Sequence, residues 1–218
     1  MSDMNKYSCF NFHYKKVEND VIRYKNYLID KDILDIGSNI GFYSLAICRN
    51  LNYKSLHLFE PCKDYFEHSK IMLKDYNNIH YNNFGLGNIE ETLTLYKNPG
   101  DNIGWNTFLD KDPNQSDNFI NKMNKELCNI KILDDYYKDI SNIDFIKIDV
   151  EGYEHNVING GLKLISKFKP YLFIEVGWGK KHPCWDKCEE SYRKIFEMGY
   201  KNIEFTNYTQ DILFEPFK

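Results

Sequence analysis

Short, almost unbroken apolar runs alternate along this chain with stretches whose apolar positions recur every three or four residues. Residues 32–36 (DILDI), 55–60 (SLHLFE), 79–84, 143–149 (IDFIKID) and 170–176 (PYLFIEV) are of the first kind and predict strands, most of them buried on both faces. The second kind predicts helices over about 41–50, 64–76, 153–166 with a break at Gly160-Gly161, and 186–198 with a stop at Gly199. An amphipathic helix over Val17 to Ile29 is expected to pack against the sheet ahead of the first strand. Residues 91–97 (ETLTLYK) alternate as a half-exposed strand does, and Asn129 to Leu133 predicts one more short strand. Residues 201–206 and 210–214 read as two further strands joined by a turn at Asn207-Tyr208. So short a connection makes them antiparallel.

Strands alternating with helices place the chain in the α/β class, with a doubly wound, mostly parallel, Rossmann-like sheet of seven strands ending in an antiparallel hairpin. The 218 residues suit one domain, with 1–31 as a helical N-terminal extension. Residues 98–126, rich in Asn, Asp, Gly and Pro, read as a long loop on the acceptor side of the cleft. Gly104-Trp105 argues for order in its first half.

Charge narrows the partners. Lys and Arg number 28 against 32 Asp and Glu, a net charge of −4, which disfavours a sequence-independent grip on nucleic acid. No apolar run approaches the ~20 residues of a membrane span, and the start lacks a signal-peptide core, so a soluble, cytoplasmic protein is expected. Six irregularly spaced cysteines predict reduced thiols rather than a disulfide framework. His182, Cys184 and Cys188 offer three zinc ligands where a structural site wants four.

The candidate chemistry begins at the corner Gly37-Ser38-Asn39-Ile40-Gly41. It lacks the middle glycine with which a dinucleotide fingerprint lets backbone close on a pyrophosphate. Asp35, two residues earlier, would repel phosphate and attract a cationic amino-acid group. S-adenosylmethionine has an ammonium, a sulfonium and no phosphate, so charge favours it over NAD. Glu60, ending the second strand, suits the ribose hydroxyls of either ligand. Asn83, Phe84 and Gly85 fall where an adenine would lie, with Phe84 as core the alternative.

The segments DIGSNIGFYS, LFEP, NFGLGN, FIKIDVEGYEHNVINGG and KPYLFIEV occur in this order, and together they resemble the FkbM family of S-adenosylmethionine-dependent methyltransferases over roughly residues 32–177. The resemblance implies the class I methyltransferase fold and O-methylation of a hydroxyl, of a sugar or a natural product among other acceptors. It assigns Asp35, Gly37, Asn39, Gly41, Glu60 and Asn83 to the cofactor. Ser38, Phe42, Pro61, Phe84 and Gly85 are expected beside them, Ser38 standing where the family often has alanine.

Asp149, Glu151 and Glu175 end the fourth and fifth core strands, where a doubly wound sheet gathers its chemistry. Asp149 is the first candidate for general base, Glu151 the second and His155 the third. Their structural alternatives are a helix cap for Glu151, a surface position for His155 and a pairing of Glu175 with Lys147. A divalent ion on the acids is the mechanistic alternative and is not favoured. Trp105 and Trp178, with Glu175, are expected around the acceptor, and Lys180 and His182 at its rim. Another small-molecule or protein acceptor, or a non-catalytic module that binds S-adenosylmethionine, would fit the same cofactor corner. A nucleic-acid methyltransferase is disfavoured because Asp-Val-Glu-Gly stands where an [DN]-P-P-[YF] corner is usual, and no Tyr-Lys pair suggests an oxidoreductase.

Overall fold

A computed structural model describes residues 10–99, 104–110, 120–136, 140–176, 184–205 and 211–217. Its main sheet has seven strands: β1 (Asp32–Ile36), β2 (Ser55–Phe59), β3 (Ile79–Asn82), β7 (Phe145–Ile148), β8 (Tyr171–Glu175), β9 (Tyr200–Phe205) and β10 (Asp211–Pro216). They lie in the order β3-β2-β1-β7-β8-β10-β9. The first five are parallel, while β10 runs antiparallel to both β8 and β9. The predicted antiparallel hairpin is therefore present, with its second strand inserted between β8 and β9. The turn predicted at Asn207-Tyr208 lies outside the described residues.

Both faces of this sheet are buried, as the unbroken apolar runs require. Leu34, Ile36, Ile146, Ile148, Leu172 and Ile174 point into one core, with α6 (Glu154–Gly160), α7 (Leu162–Phe168) and α8 (Trp185–Glu197). Ile33, Phe145, Phe173 and Leu213 point into the other, beneath α1 (Phe10–Arg23) and α3 (Phe42–Asn50). The break at Gly160-Gly161 falls where it is predicted, and Gly160 has a packing reason: a Cβ there would overlap the Gly87 carbonyl.

Several boundaries differ from the sequence reading. The N-terminal helix begins at Phe10, ends at Arg23 and is followed by the single turn α2 (Lys25–Leu28). Here the 3.6-residue spacing persists across a break at Tyr24. The helix after β2, α4 (Lys63–Met72), is shorter than expected. The third strand ends at Asn82, and the chain crosses at Asn83-Phe84 into β4 (Gly85–Gly87). That strand pairs in parallel with β6 (Asn124–Ile132), which pairs antiparallel with β5 (Glu91–Lys97) in a separate three-stranded sheet. The expected loop 98–126 and short strand 129–133 are corrected accordingly. Cross-strand partners in β5 make a strand of polar residues 124–126, which composition alone reads as loop. A single-turn helix, α5 (Leu133–Tyr136), follows β6.

Candidate active site

The strand order reverses between β1 and β7, and in open α/β sheets ligands bind beyond the strand ends at that point. A cavity of about 390 Å³ opens there. Its first wall is the corner after β1. Gly37 has φ +77°, and a Cβ on it would overlap the Asp149 carbonyl, so the turn can pass the end of β7 only as glycine. Asn39 takes the left-handed conformation at φ 53°, which Asn tolerates better than most residues.

Every backbone N–H of this corner is already used inside the protein. Gly37 and Ser38 donate to the Phe59 carbonyl (3.0 Å each), Asn39 to Glu60 Oε2 (2.8 Å), Ile40 to Asn39 Oδ1 (2.7 Å) and Gly41 to the Ser38 carbonyl (2.8 Å). A pyrophosphate would find no nest of free N–H groups here. Ser38 Oγ is buried in the cavity wall with no hydrogen-bond partner among the described residues, which leaves one polar atom for a ligand to satisfy. Glu60 accepts from Asn39 and, at Oε1, from the Cys62 N–H (2.8 Å). Burial nevertheless pushes its carboxyl up to about 7. Incoming hydroxyl donors would favour its ionised form.

Of the residues expected around the cofactor, Gly37, Ser38, Asn39 and Phe42 line the cavity from β1 and α3, and Glu60, Pro61 and Gly85 from the strand ends opposite. Four others do not. Asp35 is wholly buried beneath the corner. Its Oδ2 accepts from Ser44 Oγ (2.6 Å) and its Oδ1 lies 3.3 Å from Lys147 Nζ, so its charge is used within the core rather than offered to a ligand. Gly41, with φ +92°, packs closely on Ser69. Asn83 braces two strand ends by donating to the carbonyls of Glu60 (2.9 Å) and Pro61 (3.2 Å). Phe84 lies edge-on to Phe59 and Tyr136, which is the core alternative.

The second half of the cavity follows from strand register. Asp35 pairs side by side with Lys147, and Asp149 stands two residues further on the same face. Lys147 Nζ is thereby 3.3 Å from Asp35 and 3.2 Å from Asp149 Oδ2, and it also donates to the Gly37 carbonyl (3.1 Å). Burial opposes the charge on Lys147, but the Asp149 and Asp35 carboxylates outweigh it and raise its pKa. Glu175 falls on this face too, and its antiparallel partner Asp211 brings in another carboxyl. One carboxylate oxygen from each of Asp149, Glu151 and Glu175 lies within 4.8 Å of the others.

These acids cannot all ionise together. Burial, Asp149 and Glu151 raise Glu175 well above the carboxylate range, and burial, Asp149 and Glu154 do the same to Glu151. At Asp149 burial also opposes ionisation, but Lys147 and a hydrogen bond with Glu175 prevail and hold the carboxyl below its usual value. The cluster therefore favours ionisation at Asp149 over Glu151 and Glu175. Burial, reinforced by Asp149, pushes Asp211 up to about 7.

Trp105 lines the cavity from the 104–110 segment, which is tied down by the Tyr96–Thr107 bridge and by Thr107 Oγ1 donating to the Glu151 carbonyl (2.7 Å). Trp178, Lys180 and His182 lie outside the described residues. His155 is buried on α6 and is not among the residues lining the cavity, so it is given no part in the chemistry proposed below. Glu151, at φ 51°, does not cap the next helix. Glu154 Oε1 accepts the N–H groups of Val150 (3.1 Å) and Gly152 (3.2 Å) instead. Lys147 pairs with Asp35 and Asp149 rather than with Glu175. The cavity-wall residues not assigned to the site from the sequence include Lys147, Asp211, Tyr43 of α3, and Lys16 and Asp20 of α1. Only Lys147 left a signal: a lone lysine in an apolar central strand needs acids beside it.

A parallel sheet closed by an inserted antiparallel strand, with its crevice at the β1–β7 reversal, is the architecture of the class I methyltransferases. The chain belongs to the FkbM methyltransferase family: residues 35–201 match the Methyltransferase FkbM domain. Methyl transfer dependent on S-adenosylmethionine is the class of reaction that this membership implies. The fold is similar to that of an FkbM methyltransferase from Methylobacillus flagellatus KT (TM-score 0.57, 17% identity), covering 85% of this chain and 43% of that one. This chain thus spans less than half of that protein. It is also similar to a ribosomal protein L11 methylase from Lactobacillus delbrueckii subsp. bulgaricus (TM-score 0.52, 8% identity, 94% of this chain and 79% of that one). Comparison with curated proteins gives no match. No helix among the described residues is long and apolar enough to cross a membrane.

Proposed function

We propose that the chain is an O-methyltransferase acting on a hydroxyl of a sugar or other polyol. The observation that carries this reading is Asp149, 3.2 Å from the Lys147 ammonium in the crevice and clustered within 4.8 Å with oxygens of Glu151 and Glu175, whose carboxyls ionise less readily. Glu60 would hold the ribose hydroxyls of S-adenosylmethionine, and Ser38 and Asn39 would meet its amino-acid end. Phe42, Pro61 and Gly85 would enclose the remainder. When bound, S-adenosylmethionine supplies a methyl group already activated by its sulfonium, the S–C bond breaking as the new C–O bond forms. Asp149 receives the proton of the acceptor hydroxyl, and Glu151 and Glu175 donate to the acceptor's other oxygens. Trp105 offers an indole face to the apolar C–H surface of a sugar ring. The three clustered oxygens resemble half of a magnesium site. The Lys147 ammonium already supplies a cation there, which favours the metal-free reading.

Calorimetric titration with S-adenosylmethionine, S-adenosylhomocysteine and NAD, first with EDTA and then with magnesium, tests the cofactor. Saturable binding of the first two, without NAD and without magnesium, is expected. Asp149→Asn should retain cofactor affinity and lose about 10²–10⁴ in methyl transfer to a hydroxyl acceptor. Full activity in that variant would retire Asp149 as the proton acceptor.

A further inference from the structure

The half of the cavity beyond the cofactor corner carries more acids than bases. Asp149, Glu175 and Asp211 reach it from the sheet, Glu151 from the turn after β7 and Asp20 from α1. Against them stand Lys147 and, from α1, Lys16 and His13, and Lys147 also serves Asp35, which lies outside the cavity. A second observation points to a ligand. Tyr43 lines the same cavity and is 5% exposed, yet its hydroxyl has no hydrogen-bond partner among the described residues. After burial, the carboxyls of Asp35, Asp20 and Asp211 are what most strongly oppose its ionisation, so it stays a neutral phenol among acids. A buried phenol left unpaired costs stability unless something else completes it.

Resting on the O-methyl transfer reading, we propose that the acceptor is a hydroxyl compound carrying an amino group, an amino sugar or amino polyol, rather than a phosphorylated or nucleotide-linked sugar. The ammonium sits toward Asp20, Asp211 and Tyr43, with the reacting hydroxyl toward Asp149. Phosphate would push these acids further toward their neutral forms and finds no free backbone N–H at the corner, whereas an ammonium favours their ionised forms. Asp20 and Asp211, ionised against the ammonium, in turn keep the amine protonated. Its lone pair is then unavailable, and methylation is directed to oxygen although nitrogen is the better intrinsic nucleophile.

The test uses the protein saturated with S-adenosylhomocysteine and three probes of one ring: glucosamine, glucose and glucose 6-phosphate, titrated into the millimolar range by ligand-observed NMR. Glucosamine is expected to bind at least about tenfold more tightly than glucose, one tenfold step being about 1.4 kcal/mol, and glucose 6-phosphate not detectably. Asp20→Asn and Asp211→Asn should each erase most of that preference. Tyr43→Phe should weaken glucosamine several-fold without lowering the urea midpoint, whereas a merely structural tyrosine would leave binding untouched. Equal binding of glucosamine and glucose, no binding of glucosamine, or tightest binding of the phosphate overturns the proposal. So does magnesium binding that depends on Glu151 and excludes glucosamine. Failure of S-adenosylhomocysteine to bind would instead strike at the methyl-transfer reading, and the amine preference is read separately on the apo protein.

Discussion

Lys147 shows how a single side chain can tie core and site together. Its side chain is 9% exposed, and its ammonium bridges a carboxylate of the interior, Asp35, to one of the cavity, Asp149. Removing one partner of a buried ion pair leaves uncompensated charge, at a cost of about 3–5 kcal/mol. Lys147→Met, close in volume, is therefore expected to lower the unfolding free energy in urea by about that amount. Lys147→Met/Asp35→Leu should recover much of the loss, because apolar replacement of a whole buried pair is often tolerated. Methyl transfer should stay impaired in the double variant, since Asp149 would lose the cation that holds its carboxyl low. Glu60 and the acids after the fourth and fifth strands were legible in the sequence because each ends an apolar run. Asp211 was not. It becomes a site residue only through its pairing with Glu175, and the sequence places no constraint on which strand lies beside β8.

At the scale of elements, the three-stranded sheet works as a support for the cavity's outer wall. Through Tyr96–Thr107 it holds residues 104–110, and the Thr107 hydroxyl donates to the Glu151 carbonyl while accepting the Leu109 N–H (3.1 Å). Thr107→Val should raise the acceptor KM several-fold by loosening Trp105 and the acidic turn. The dissociation constant of S-adenosylhomocysteine should be unchanged, and a parallel loss of both would place the effect in the fold instead. Strand and helix order were readable from periodicity, because every central strand is buried on both faces. The extent of β6 was not, since polar residues 124–126 become strand only opposite β5. The role of α1 was missed for a related reason. Its amphipathic spacing shows that one face is buried, but not that Lys16 and Asp20 border a cavity.

Across the whole molecule, buried acids shape the response to pH. Burial pushes Glu60, Glu154 and Asp211 each up to about 7. A carboxyl whose folded pKa exceeds its unfolded one binds more protons when folded. Its contribution to stability is full below the unfolded value and is lost as pH rises through about 7. His57, stacked on His80 at 4.2 Å, shifts the other way: burial and the second ring lower it to about 4. Its contribution is present above about 6.5 and lost as pH falls through about 4. With these three carboxyls, and Glu151 and Glu175 shifted the same way, against one histidine, the urea midpoint should be higher at about pH 5.5 than at about pH 8. The opposite order would show that these acids ionise in the folded chain near their ordinary values. The place of β10 bears on how the protein is made. Synthesis delivers β9 before β10, yet β9 reaches the sheet only through β10. Until the later strand leaves the ribosome, β8 presents a bare edge, β9 has no place to dock and the crevice lacks one of its acids. Insertion of this one strand closes the bare edge, docks β9 and brings in Asp211 together.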